Sequence, residues 1–141
     1  MTITQHLRAA TLPDILIVTS AKRPLWRDFA VAAPLTEVTY WYVHNQDGSV
    51  SMTSEEDLAP LAGSLVGLLH RMDGVNSFIL KHRRLSVEVR RMQIWEDTTD
   101  EIVRTLCCVR GWDPGNVNVR LIPTTALREE PHLARFIANA A

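Results

Sequence analysis

The sequence has few cysteines, no long apolar run and no excess of either charge. Its 141 residues include only the adjacent Cys107 and Cys108, whose side chains leave one element in different directions, which disfavours a disulfide framework. The apolar run of residues 15–18, like every other apolar run in the sequence, is far shorter than the roughly 18 residues needed to cross a bilayer. Fifteen basic residues stand against 16 acidic ones, which argues against a dedicated polyanion binder. We therefore expect a cytoplasmic protein with no membrane partner, and we do not expect nucleic acid as its main partner.

The length and composition indicate one domain. A chain of 141 residues with 46% apolar side chains can build a core without disulfides or a structural metal. Residues 1–8 lack the basic and apolar segments of a secretory signal. No repeat or linker divides the chain, so residues 1–141 are expected to form a single domain.

Periodicity and turn residues predict a mixture of helices and strands. Thr53 to Glu56 and Thr98 to Glu101 match capping boxes, although Pro60 leaves open a first helix that starts after Asp57. Gly74 and Gly111 are expected to end the two helices. The predicted strands are 14–19, 38–43, 77–81, 85–89 and 117–122, and the predicted helices are 24–32, 58–72, 98–111 and 131–141.

The element order from residue 36 to 122 is β-α-β-β-α-β. This order is typical of the ferredoxin-like arrangement, an α+β fold with an antiparallel four-stranded sheet and both helices on one face. Residues 1–35, with a strand and a short helix, and residues 123–141, with a terminal helix, are then additions to a core of residues 36–122.

The segment 65–78, in which a helix leads through a Gly74-Val75 step into a hairpin, resembles the heavy-metal-associated domain family. The hairpin strand 85–89, the second helix ending at Gly111-Trp112, and Met52-Thr53 ahead of the first helix add to this resemblance. The family's two metal-binding cysteine positions correspond to Ser54 and Asp57. Neither residue is a soft thiolate ligand, so the resemblance implies the ferredoxin-like fold without the metal chemistry.

The same succession of a long helix, a Gly-Val step and a hairpin is similar to the N-terminal domain of Nfu-type iron–sulfur scaffold proteins. That domain carries no cluster cysteines itself, and this chain has no Cys-x-x-Cys. The resemblance therefore also implies a fold and not an activity.

No pattern of chemistry-bearing residues indicates catalysis. The chain has no glycine-rich phosphate loop and no Gly-x-Ser-x-Gly elbow. The five histidines lack the short spacing of metal ligands, although a site built from His44, His70 and the cysteines is possible in three dimensions. We expect no enzymatic activity, no cofactor and no metal.

Arginines and tryptophans are the candidate interface residues. Lys81, His82 and Arg83, Arg84, Arg90 and Arg91 form the strongest basic cluster, at the tip and outer end of the hairpin. Trp95 and Trp112 flank the second helix, and Trp41 lies in a strand; tryptophan and arginine are favoured at protein interfaces.

These residues predict a non-enzymatic protein–protein interaction or assembly module. It would associate with itself or serve as a structural component of a larger bacterial or viral complex. One alternative is a ligand- or metal-binding ferredoxin-like module. The other is a single-stranded nucleic-acid binder that uses the basic hairpin.

Overall fold

The computed structural model describes residues 12–140, which form one seven-stranded sheet and three α-helices. Residues 1–8, where no secretory signal is predicted, lie outside this range, as does residue 141 of the predicted terminal helix. Short 3-10 turns lie at Met92–Ile94, Pro114–Asn116 and Thr124–Glu129. The elements are β1 (Asp14–Thr19), β2 (Trp26–Val31), β3 (Tyr40–His44), β4 (Val50–Met52), α1 (Pro60–His70), β5 (Val75–Leu80), β6 (Arg84–Val89), α2 (Trp95–Arg110), β7 (Asn118–Pro123) and α3 (Pro131–Asn139).

The strand order is β4-β3-β5-β6-β2-β1-β7, and only the β1–β7 pair is parallel. The expected α+β class is confirmed, but the ferredoxin-like arrangement is not. A split β-α-β unit leaves room for another strand between the two strands that its helix connects. Here β3, which covers the first predicted strand, pairs directly and antiparallel with β5, and the strand that leads into α1 is an additional one, β4. β7 is also separated from β6 by two strands.

Residues 24–32, predicted as a helical turn, contain strand β2. This strand pairs antiparallel with β1 on one side and with β6 on the other. Its Trp, Phe and Val side chains favour a strand, and hydrogen bonds to two neighbours outweigh any local helical preference. Because β1 and β2 lie inside the sheet, residues 36–122 do not form a self-contained core with additions outside it.

The helices α1 and α2 cover one face of the sheet, which we call the α1/α2 face. They also pack against each other, with α1 presenting a stripe of apolar residues at three- and four-residue spacing. Burial of such a stripe is the main source of stability for helices of this length. The largest buried side chains on this face are Ile15, Ile17, Phe29, Tyr40, Leu65, Leu69, Phe78, Leu80, Leu85, Ile102 and Leu106.

The third helix covers part of the opposite face, which we call the α3 face. Leu133, Phe136 and Ile137 of α3 pack against Leu16 and Ala30 of the two central strands. The backbone N–H of Arg83 donates to the carbonyl of Ala140 at 3.0 Å. This contact joins the C-terminal end of α3 to the β5–β6 turn.

Neither predicted capping box forms. The helix α1 begins at Pro60, with no side-chain cap at Ala59, which agrees with the alternative of a start after Asp57. The Thr53 hydroxyl instead accepts the N–H of Trp41 at 3.0 Å. The helix α2 begins earlier than predicted, at Trp95, so Thr98 lies inside it.

The two glycines have different roles. Gly111 has φ +72° at the end of α2, so the predicted left-handed helix end is confirmed. Gly74 has no positive φ, and α1 ends earlier, with Arg71 as its C-cap. A Cβ atom at Gly74 would lie 2.6 Å from the Thr98 hydroxyl and 2.7 Å from a methyl group of Ile94. The Gly-Val step therefore reflects close packing against the start of α2.

Candidate functional site

The three candidate tryptophans lie in different environments. Trp95 is only 4% exposed, and its indole N–H donates to the carbonyl of Pro24 at 3.2 Å. Trp112 is half-buried, with the Arg110 guanidinium carbon 5.8 Å from its ring centroid. Trp41, at 40% exposed, is the one of the three that presents a large surface. Trp95 is therefore a core residue and not the exposed interface residue that the sequence suggests.

The structure does not bring the four candidate arginines into one patch. Arg83 and Arg84 are half-buried at the beginning of β6, beside the C-terminal end of α3, where the helix dipole favours positive charge. Arg90 and Arg91 are exposed just beyond the other end of the strand. A six-residue strand spans roughly 20 Å, so the two pairs are far apart. No single continuous basic footprint results.

The strand β7 forms one edge of the sheet. None of the interface residues predicted from the sequence lies in this strand. Among residues 12–140 it has one neighbouring strand, β1. The Asn118 N–H donates to the carbonyl of Pro13 at 2.8 Å. Because backbone groups alternate along a strand, the N–H and C=O of Val119 and Leu121 point away from β1. Within residues 12–140 the outer edge therefore presents unpaired backbone donors and acceptors.

The same two residues expose apolar side chains. Val119 and Leu121 are aligned with Ile15 and Ile17 of β1 and lie on the α1/α2 face, yet they are 46% and 54% exposed. Met92, in the turn before α2, is 57% exposed and lines the same groove. Exposed apolar side chains beside an open strand edge are typical of interaction sites.

The groove beside β7 has a volume of about 450 Å³ and contains a half-buried cation. The Arg27 guanidinium donates to the Thr99 hydroxyl at 2.9 Å and lies 4.8 Å from the Trp95 ring centroid. Burial lowers the pKa of Arg27. Stacking on the indole face stabilises a cation where water is partly excluded, so Arg27 forms a polar wall beside the apolar strand.

A second site lies at the other side of the sheet, where β3, β5 and α1 meet. His44 and His70 both make edge-on contacts with the Tyr42 ring, at centroid distances of 5.3 Å and 4.6 Å. The structure thus brings together the two histidines considered for a metal site. The cysteines lie on α2, and within residues 12–140 no three His, Cys, Asp or Glu side chains could hold a metal ion together.

The hydrogen bonds of the two histidines determine which ring nitrogens are free. His44 Nδ1 bonds the carbonyl oxygen of Asn76, so Nδ1 carries a proton and Nε2 is free. His70 Nε2 lies 3.3 Å from the hydroxyl of Tyr40, a side chain with no exposed surface. Burial, followed by Glu55 and Tyr42, raises the pKa of Tyr40, so the phenol keeps its proton. The Tyr40 hydroxyl and His70 Nε2 share this hydrogen bond in either imidazole tautomer, and His70 Nδ1 has no partner among the described residues.

Comparisons with known proteins reveal no relative. No family model matches the chain, and no curated protein or solved structure is significantly similar to it. The resemblance to heavy-metal-associated and Nfu-type domains therefore stays a prediction. The described part of the chain also contains no helix with the length and hydropathy that a membrane span requires.

Proposed function

We propose that this chain is a non-enzymatic protein-interaction module that associates with a second copy of itself through the outer edge of β7. The observation that carries the proposal is the coincidence, at Val119 and Leu121, of outward backbone groups with exposed apolar side chains. Addition of one strand edge to another provides backbone hydrogen bonds for affinity and side-chain contacts for register.

The residues of β7 are compatible with a twofold axis through Leu121. Two copies of an edge strand related by a twofold axis perpendicular to the sheet run antiparallel. In this register the N–H of Leu121 meets the C=O of Leu121 of the second copy. The N–H of Val119 meets the C=O of Pro123 of the second copy. Pro123 has no N–H, so this pair forms one hydrogen bond and the C=O of Val119 receives none from Pro123.

Side-chain chemistry supports the same register. Leu121 would pack against Leu121 of the second copy on the α1/α2 face, and cross-strand apolar pairs stabilise sheets. On the α3 face, Arg120 would lie opposite Ile122 of the second copy rather than opposite another arginine. The Arg120 guanidinium already bonds Glu130 at 2.8 Å, so its charge stays compensated when the two edges meet.

The described residues that follow β7, up to residue 140, do not cover this edge. The hydroxyl of Thr124 donates to the carbonyl of Thr19 at 2.7 Å, so the chain turns toward β1 and away from the outer side of β7. The other sheet edge, β4, is only three residues long. Short edge strands are one way in which proteins limit edge-to-edge association, which favours β7 as the contact.

The test is the molar mass in solution, measured by sedimentation or by light scattering over a range of protein concentrations. The wild-type chain is expected to form a dimer. Leu121→Lys places a charge at the axis and is expected to weaken the dimer at least tenfold, since an interface anchor of this kind is worth more than about 1.4 kcal/mol.

A matched control is Val50→Lys, which makes the same type of change on the exposed edge strand β4 and should leave the molar mass unchanged. Circular dichroism checks that both variants are folded. A wild-type monomer at all concentrations would overturn the proposal, and so would a dimer that Leu121→Lys leaves intact.

A further inference from the structure

The histidine site is a small polar cavity that the proposed self-association does not use. Its volume is about 170 Å³, below the range of about 300–1,000 Å³ that holds drug-sized ligands. Side chains from β3, α1, β5 and the segments after α1 and β6 line it. Those with polar groups are Tyr42, His44, His70, Asp73, Asn76 and Arg90.

Each of the two imidazoles leaves one ring nitrogen without a hydrogen-bond partner among residues 12–140. The bond from His44 Nδ1 to the carbonyl of Asn76 leaves Nε2 unpaired. The bond between Tyr40 and His70 Nε2 leaves His70 Nδ1 unpaired. The amide side chain of Asn76 is already committed, because its nitrogen donates to Glu88 at 2.9 Å. A ligand in the cavity therefore meets two ring nitrogens whose hydrogen bonds are not used within residues 12–140.

The cavity also has one charge of each sign. Asp73 and Arg90 both line it, and neither forms an ion pair with the other or with another side chain, since Arg120–Glu130 is the sole ion pair within residues 12–140. A carboxylate and a guanidinium that face one cavity without contacting each other leave room for a ligand that bonds both. Such a ligand carries a cationic and an anionic group close together.

We propose that this cavity binds a small zwitterion with adjacent ammonium and carboxylate groups, such as a free α-amino acid with a short side chain. Arg90 binds the carboxylate and Asp73 binds the ammonium group, with the unpaired ring nitrogens of His44 and His70 lining the same cavity. The volume restricts the ligand to a few non-hydrogen atoms. A dissociation constant on the order of 1 mM is therefore expected for the smallest member, glycine.

The charge arrangement distinguishes this ligand from two simpler ones. An inorganic oxyanion would be repelled by Asp73, and a metal ion would lack a third protein ligand among the described residues. A ligand with both charges pairs with Asp73 and with Arg90 at the same time.

The experiment is a titration of isotope-labelled full-length protein with glycine, followed by amide NMR shifts of Asn76 and its neighbours. Glycine is expected to shift these signals in a saturable way. N-acetylglycine, which has no ammonium group, and glycinamide, which has no carboxylate, are expected to bind at least tenfold more weakly. Inorganic phosphate tests the oxyanion. Binding of phosphate or of N-acetylglycine as tight as that of glycine would overturn the proposal, as would no saturable shift with glycine.

Two variants assign the roles of the charged groups. Asp73→Asn and Arg90→Gln should each weaken glycine binding at least tenfold. Arg91→Gln is a matched control, because Arg91 is exposed, adjacent in sequence and absent from the cavity lining, and it should bind glycine like the wild type. Equal losses in Arg90→Gln and Arg91→Gln would indicate a nonspecific charge effect and would also overturn the proposal.

Discussion

Replacement of Gly74 by alanine tests the close packing between the end of the first helix and the start of the second. The new Cβ would lie 2.6 Å from Thr98 Oγ1 and 2.7 Å from the Ile94 methyl carbon. Carbon atoms in contact prefer about 3.5 Å or more, so the neighbours must move by about 0.8 Å. Overpacking of this kind costs about 1–3 kcal/mol.

Two effects oppose each other in this variant. Alanine restricts the unfolded chain and thereby stabilises the folded state by about 0.4–1 kcal/mol. The steric cost is larger, so Gly74→Ala should lower the free energy of unfolding by about 1–2 kcal/mol. For a chain of this size that corresponds to a fall in Tm of roughly 3–7 °C. Scanning calorimetry or urea unfolding followed by circular dichroism measures it.

Gly67→Ala is the matched control, because Gly67 lies within α1 and a Cβ there would meet no atom within 4 Å. It should raise the free energy of unfolding by about 0.5–1 kcal/mol, as expected for alanine in a helix. Deletion of the Thr98 methyl and hydroxyl in Gly74→Ala/Thr98→Ala should restore at least 0.5 kcal/mol relative to additive effects, as expected for contacting residues. A Gly74→Ala protein as stable as the wild type would refute the packing argument.

Three further predictions concern the core, a buried hydrogen bond and a turn. Phe29→Ala should lower the free energy of unfolding by about 3–5 kcal/mol in urea titrations, because the ring is completely buried; a loss below about 1 kcal/mol would contradict its place in the core. Tyr40→Phe should cost about 0.5–1.5 kcal/mol through loss of the 3.3 Å bond to His70, and no loss would show that this bond does not form. Hydrogen bonds from Ser49 hold the pKa of Asp47 below its usual range. These bonds therefore stabilise the turn fully at pH values above the ordinary Asp pKa, and the stabilisation is lost as the pH falls through the lowered pKa. An NMR titration should show the lowered midpoint in the wild type and a higher one in Ser49→Ala; equal midpoints would assign the shift to another cause.

The sequence predicts individual elements well where one periodicity dominates. The strand β1 has the predicted ends, Asp14 and Thr19. In β6, Leu85, Val87 and Val89 are buried as their alternation indicates. These patterns are local, because a side chain's direction depends on the backbone geometry of its own element.

The pairing of distant strands was not predictable from such patterns. The strands β1 and β7 pair in parallel, with Asp14 opposite Asn118. The sequence of neither strand indicates the other as its partner. The order of helices and strands from residue 36 to 122 is typical of a common topology, but residues 24–32, which contain β2, are predicted as a helix. Without β2, the position of β1 inside the sheet and its pairing with β7 cannot be inferred.

The two candidate sites differ in how much of each the sequence predicts. His44 and His70 could be named as a pair, but their common contact with Tyr42 depends on how α1 packs on the sheet. In β7, Val119 and Leu121 lie on one face and Arg120 and Ile122 lie on the other, so both faces carry apolar residues. Only the observed sheet shows that Ile122 is buried while Val119 and Leu121 are exposed.

The strand order makes the two proposals physically separate. Between β5, beside the histidine cavity, and the outer strand β7 lie β6, β2 and β1. At about 4.8 Å per strand, β5 and β7 are roughly 19 Å apart, beyond the reach of any side chain. A second copy on β7 therefore leaves the cavity accessible, and Leu121→Lys should bind glycine like the wild type. Conversely, Asp73→Asn should keep the wild-type molar mass, so failure of either proposal leaves the other intact.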